Sequence, residues 1–407
     1  MNVPVVVLNL GHTALGIARN LAPLGIPVTV VHHSSEFAIG RGSRCMHIVT
    51  GPDAGEAGAA LLRYLLDLAD ELGGRPLLFA TRDLDVHFIS TFRDRLSERY
   101  VMTQPEASVL DSIVEKPALL ATAESLGVPV PRTLILHADN LERAREFHFP
   151  VIVKPTVVHE HRAGGRWERT GRAKAHVFGD FDELEQRLPA LLDAGNQWFL
   201  QEFVPGPVHR LRIFAGYVGR DGSLLGHIFA RKVLQIPEHS GLGIVVDSAE
   251  GRQDLRDWTL AILREVGYWG MFEAEYKLDD DGVPRLIEIN TRHWDQHRLA
   301  TACGVNLSAI AYRELTDAAR PSPAEPGNER IRWVDDAALI RWRVAGLAKG
   351  RWERIPVPDE NPGPRLFPSV RDPGDPWPAV RAYAAGIRDV FWNGMRALSK
   401  RMFGNAS

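Results

Sequence analysis

The residues with the most chemical content lie between Met271 and His297, in the run MFEAEYKLDDDGVPRLIEINTRHWDQH. Two alternating segments flank Asp281-Gly282, and Asp-Gly is a favoured two-residue hairpin turn. That turn pairs Asp280 with Val283, sets Glu275 opposite Glu288, and sets Glu273 opposite Asn290. A period of two puts these four oxygen-bearing side chains on one face. Phe272, Ala274, Tyr276, Leu278, Ile287 and Ile289 fall on the other, which predicts a core face. Directly opposed side chains sit about 5 Å apart at Cβ. Two carboxylates there repel unless they are protonated or bridged by a cation. Oxygen donors of this kind suit Mg²⁺, which takes one or two carboxylates, waters and phosphate oxygens. From the hairpin alone a second reading stands beside this one: a solvated face of an edge hairpin, partly neutralised by Lys277.

Further basic residues lie upstream in order. Lys116 opens a helix that runs to about Leu126 and is closed by GVPVPRT, with Gly127 as its C′ residue and prolines beyond. Lys154 ends the strand in FPVIVKP. A lysine after buried β-branched residues is awkward unless its ammonium meets an anion, although lysines also snorkel from strand ends. Lys174 has a weaker claim of the same kind. The polar, basic stretch His159–Arg172 contains Ala163-Gly164-Gly165 and reads as a mobile loop. QEFVPG, Gln201 to Gly206, reads as a strand with a Pro-Gly turn. FARKVLQIPEHSGLG, Phe229 to Gly243, carries Arg231 and Lys232 ahead of a glycine-rich end that allows close backbone approach. No GxxxxGK[ST] motif occurs.

Taken together in this order, the motifs resemble the ATP-grasp superfamily over about residues 1 to 318. E-x-E-Y, a short turn and E-I-N-x-R look like its metal-binding core, and Phe229–Gly243 is similar to a stretch in its D-aspartate ligase-like members. The resemblance also extends to its carbamoyl-phosphate synthase and biotin carboxylase-like members. It implies that Glu275, Glu288 and Asn290 hold two Mg²⁺ ions, with Mn²⁺ as an alternative, between the phosphates of ATP and the substrate. Arg292 matches the arginine that contacts the reacting substrate, and Glu273 has no firm counterpart. Lys116, Lys154 and Lys174 match phosphate-reaching positions, as does Arg231 or Lys232. The loop at 159–172 matches a flap over the phosphates, and Glu202 and Val204 match adenine contacts. Arg212, on the strand His209–Val218, is a candidate second substrate clamp. Asp295 and Gln296 are candidates to orient an amine, with exposed helix positions as the alternative.

The implied activity is an ADP-forming carboxylate–amine ligase. A carboxylate is phosphorylated by MgATP, with Lys154 and Arg292 as catalytic groups, and an amine then takes the acyl group. The small-molecule partners are an acid and an amine; the resemblance suggests an amino acid as one of them, with a natural-product intermediate equally open. Two alternatives stay open: a bicarbonate-phosphorylating carboxylase or carbamoyl-phosphate-type enzyme, and a non-catalytic ATP-binding sensor. A nicotinamide dehydrogenase fits poorly, because GHTALG is not GxGxxG and His32-His33, not an acid, follows the second strand.

The elements that must position these groups form an α/β and α+β chain. Val3–Leu10, a helix at Thr13–Leu24 and the strand Pro27–Val31 read as a strand–helix–strand unit. They open a Rossmann-like pre-ATP-grasp domain that runs to residue 110. A small lobe at 111–204 and a large lobe at 205–319 with long antiparallel strands follow. The Pro/Trp-rich tail, 320–407, closes with an amphipathic helix at Ala379–Met402. That helix is expected to pack on the body or on a second subunit, which leaves a homodimer open. The chain has 407 residues, enough for two or three packed units. It is 45% hydrophobic and 24% charged, which is ordinary for a globular protein. A net charge of −3 offers no electrostatic footprint for nucleic acid. Two cysteines, Cys45 and Cys303, argue against a disulfide scaffold. No basic n-region, cleavage site or run of about eighteen apolar residues occurs, so a cytoplasmic protein without a transmembrane segment is expected.

Overall fold

The computed structural model describes residues 2–33, 38–55, 58–137, 139–156, 175–192, 197–237, 241–316, 321–347 and 363–388. The 159–172 loop, Lys174 and the part of the expected Ala379–Met402 helix beyond residue 388 lie outside the described residues.

The first sheet contains Val5–Leu8 (β1), Val28–His32 (β2), His47–Thr50 (β3), Leu77–Phe79 (β4) and Val101–Met102 (β5). It is parallel throughout, in the order β3-β2-β1-β4-β5. Both faces of β1 are buried, as its unbroken valine run predicts. Val5 and Val7 face a core shared with the helix His12–Leu21, whereas Val6 and Leu8 face one shared with the helix Gly58–Leu72. The strand order reverses between β1 and β4. The segments that leave their carboxyl ends, Gly11–Thr13 and Thr81–Asp83, therefore flank the crevice where such sheets take ligands.

The second sheet is antiparallel, with Thr133–Leu136 (β6), Val151–Pro155 (β7), His176–Phe178 (β8) and Trp198–Glu202 (β9) in the order β6-β9-β7-β8. Between β6 and β7, Leu141–Glu146 is a single 3₁₀ segment. Lys116–Ser125 is helical, and Gly127 follows it at φ +72°, the left-handed C′ geometry that glycine adopts at little cost.

The third sheet has seven strands: Leu211–Val218 (β10), Leu224–Ile236 (β11), Leu242–Ser248 (β12), Gly270–Leu278 (β13), Pro284–Asn290 (β14), Ile331–Val334 (β15) and Arg365–Pro368 (β16). Their order is β14-β13-β10-β11-β12-β15-β16. The tail supplies the last two strands. It is fastened to the first unit by a buried pair, Arg19 Nε to Asp375 Oδ2 at 3.1 Å, with both side chains no more than 3% exposed. Asp375 also accepts from Ser43 Oγ and the Arg44 N–H.

The β13–β14 hairpin departs from expectation at its tip. The turn is Asp279–Val283, with three residues between them and Gly282 at φ +78°. Leu278 pairs with Pro284, one residue out of the expected register. A bulge between Glu275 and Tyr276, which leaves Ile287 without a partner, restores the register. The two deviations cancel, so Glu275 faces Glu288 and Glu273 faces Asn290. The bulge also changes which residue enters the core. Leu286 is fully buried and Ile287 is half-buried, the reverse of simple alternation.

Candidate functional site

The oxygen-bearing face of β13–β14 is not a solvated edge. Glu273 is 3% exposed and Glu275 8%. Lys232, on β11, reaches across β10 and donates to both carboxylate oxygens of Glu275 at 2.7 Å. Lys116, at the start of its helix, donates to Glu288 Oε2. Asn290 Nδ2 donates to Glu273 Oε2 at 2.9 Å. Lys154, at the end of β7, donates to Gln201 Oε1 at 3.1 Å. The three lysines thus come from three separate elements.

Electrostatics follow from this crowding. The Lys116 ammonium and its hydrogen bond hold the Glu288 carboxyl far below the usual range, against the push of burial. Burial and then the neighbouring Glu275 push Glu273 up to about 8. Burial and then the Lys116 charge pull Lys154 down to about 7. For Lys232 the sign is opposite: burial lowers it, but Glu275 and Glu273 outweigh that and raise it. Among the described residues no three His, Cys, Asp or Glu side chains already converge as a metal cage. Lysines stand as the counter-ions of Glu275 and Glu288. The donor set itself fits a hard cation, being oxygen-rich, and Glu273 Oε1 is a buried oxygen without a partner.

Arg292 lies just beyond β14. Its Nε donates to Asp83 Oδ1 at 2.6 Å, and Nη1 donates to the His293 carbonyl at 3.3 Å. Asp83 follows β4 at the crevice of the first sheet, so Arg292 is seated by the first unit. Nothing in the hairpin points to Asp83. An acid just past a strand at the position where strand order reverses is the signal that could have found it. Nearby, Thr13 Oγ1 donates to Asp295 Oδ1 at 2.8 Å, and His12 Nε2 lies 3.1 Å from Asp335 Oδ2.

Several expected site residues are placed elsewhere. Arg231 pairs in register with Arg212 and Asp247, on the face opposite Lys232, and its Nη2 bonds Asp247 at 3.3 Å. Alternation along β11 allows only one of Arg231 and Lys232 to meet the carboxylates. Arg212 shares the face of Arg231 and Tyr276, so it is not a clamp at the carboxylate cluster. Gln296 is 5% exposed and donates to the Gly243 carbonyl at 2.7 Å, which ties two backbone segments together. Neither it nor Asp295 lies in a helix or is exposed. Glu202 ends β9 with Oε1 accepting from the His148 N–H at 3.2 Å, and Val204 is 8% exposed just beyond. The glycine-rich end behind Lys232 forms β12. A Cβ at Gly241 would sit 2.0 Å from the Ile236 carbonyl carbon, so only glycine fits there.

No family model matches the chain. In sequence it is 25% identical over 263 residues to D-aspartate ligase of Enterococcus faecium (strain Aus0004), covering 62% of this chain and 62% of that ligase. The chain thus matches less than two thirds of that relative's length. In structure it resembles a biotin carboxylase–β,γ-ATP complex from Campylobacter jejuni, with a TM-score of 0.62 and 16% identity, covering 80% of this chain and 74% of that one. It also resembles L-amino acid ligase from Bacillus licheniformis, with a TM-score of 0.57 and 16% identity, covering 77% and 74%. The chain thus shares its fold with a biotin carboxylase and an L-amino acid ligase, and it is similar in sequence to a D-aspartate ligase.

Proposed function

We propose that this protein is an ATP- and Mg²⁺-dependent ligase that joins a carboxylate to an amine through an acyl phosphate, with an amino acid as one substrate. The observation that carries this reading is the shared face of Glu273, Glu275, Glu288 and Asn290, the first two buried and the last two half-buried, bordered by Lys116, Lys154 and Lys232 and seated beside Arg292. Four carboxylates, counting Asp83, face four cations, counting Arg292, so the resting site is close to neutral. Such a site accepts a nucleotide together with its cations without stranding charge.

In the first step a substrate carboxylate oxygen attacks the γ-phosphorus of ATP and ADP leaves. Bound Mg²⁺ at Glu275, Glu288 and Asn290 would supply charge neutralisation at the phosphoryl group. Lys116 and Lys232, relieved of their carboxylates, would turn to phosphate oxygens, and Lys154 would join them in its protonated form. Arg292, steadied through Nε by Asp83, would present its outer nitrogens to the substrate carboxylate. In the second step the amine attacks the acyl carbon and inorganic phosphate leaves. The names of both ligases above support amino acids as substrates.

The test is incubation with MgATP and pooled amino acids, other carboxylic acids and bicarbonate, followed by mass spectrometry for ADP, AMP and phosphate. A Glu288→Gln variant runs alongside. ADP that depends on an amino-acid pool and disappears in the variant supports the ligase. ADP that depends on bicarbonate alone favours the carboxylase reading, and AMP rules out the acyl phosphate. ATP binding without turnover on any pool favours the sensor.

A further inference from the structure

Glu273 is the part of the carboxylate face that the family resemblance leaves without a role. Burying a carboxyl group beside a second one is costly, and a residue kept only for packing would be apolar. Glu273 is 3% exposed and pairs directly with Asn290 across β13–β14. Its Oε2 accepts the Asn290 Nδ2–H at 2.9 Å, and its Oε1 has no partner.

This arrangement constrains the Asn290 carboxamide. Only the carbonyl oxygen of an asparagine is a good ligand for a hard cation, and the NH₂ end repels one. A free asparagine can present either end. An acceptor oxygen opposite the NH₂ end admits one orientation, with Oδ1 turned away from Glu273. Oε2 accepts in the same way whether or not Oε1 carries a proton. We infer that Glu273 positions Asn290, fixing its carboxamide so that Oδ1 faces the cation site. The inference rests on the metal reading of that face given above. Groups that orient a metal ligand from behind are typically worth about 10- to 100-fold in metal affinity.

Mn²⁺ serves as the probe, titrated by electron paramagnetic resonance into the whole protein at saturating ADP, with ADP affinity in EDTA measured in parallel. Glu273→Leu is expected to weaken Mn²⁺ binding by about 10- to 100-fold and to leave metal-free ADP binding unchanged. Glu273→Gln, whose amide oxygen can still accept from Asn290, is expected to stay within a few-fold of wild type. The double variant Glu273→Gln with Asn290→Asp exchanges donor and acceptor and is also expected to bind Mn²⁺. It provides the answer if Glu273→Leu does not fold. Wild-type Mn²⁺ affinity in Glu273→Leu overturns the inference, as does loss of Mn²⁺ from the exchange variant. A wild-type protein that binds no Mn²⁺ with ADP overturns the functional reading itself, and it does so before any variant is made.

Discussion

Asp83, just past β4, accepts a 2.6 Å hydrogen bond from Arg292 Nε, 209 residues further along the chain. That contact joins the crevice of the parallel sheet to the arginine beside the carboxylate hairpin. It gives the first unit a direct part in aiming Arg292. We expect Asp83→Asn, which keeps the shape but loses the ionised acceptor, to raise KM for the acid and lower kcat, together about 10- to 100-fold in kcat/KM. ADP binding should be unchanged. Steady-state kinetics beside ADP calorimetry checks this, and an unaltered kcat/KM would separate Arg292 from the reaction.

Lys154 stands near pKa 7 because burial and Lys116 disfavour its charge. Phosphates would favour the charged form, so nucleotide binding should draw a proton from solution above pH 7. ADP calorimetry at about pH 8 in two buffers of different ionisation enthalpy should reveal that uptake. ADP affinity should weaken as pH rises through 7 to 9. In Lys154→Met both the uptake and the slope should shrink.

Arg19 and Asp375 are both within 3% of full burial and hold the tail to the helix His12–Leu21. Removal of one partner strands a buried charge, at a cost of about 3 to 5 kcal/mol. Arg19→Met and Asp375→Leu are each expected to lower stability by that order in urea unfolding. The double variant should recover part of the loss, because neither charge is then stranded.

His297 packs where Gly16 has no side chain, and a Cβ on Gly16 would lie 2.4 Å from His297 Cε1. Gly16→Ala should therefore cost about 1 to 3 kcal/mol by overpacking. Burial depresses His297 to about 4 from an ordinary value of 6.5. The unfolded chain takes its proton first as pH falls. The native state should thus lose stability between pH 6.5 and 4, at up to about 1.4 kcal/mol per pH unit from this group. Denaturant midpoints measured across that window, with His297→Gln as the flattened control, test the slope.

The carboxylate pairs of β13–β14 were legible because a period of two and an Asp-Gly turn are local rules, read within a span of twenty residues or so. Even there two deviations had to cancel: a longer turn and a bulge at Ile287. The Val-rich β1 and the helix beginning at Lys116 were legible for the same local reason. Which of Arg231 and Lys232 meets the carboxylates was not, because alternation separates their faces but only the pairing of β11 with β10 and β12 says which face is which. Arg212 was misplaced on the same account. Asp83, the Gln296 bond to Gly243 and the tail strands β15 and β16 depend on contacts between distant segments. The sequence by itself determined the residue types of the site and their local periodicity, since both follow from neighbouring backbone geometry. Only the tertiary structure decided which charges meet, because that depends on how separate sheets register and pack against one another, and no local pattern encodes it.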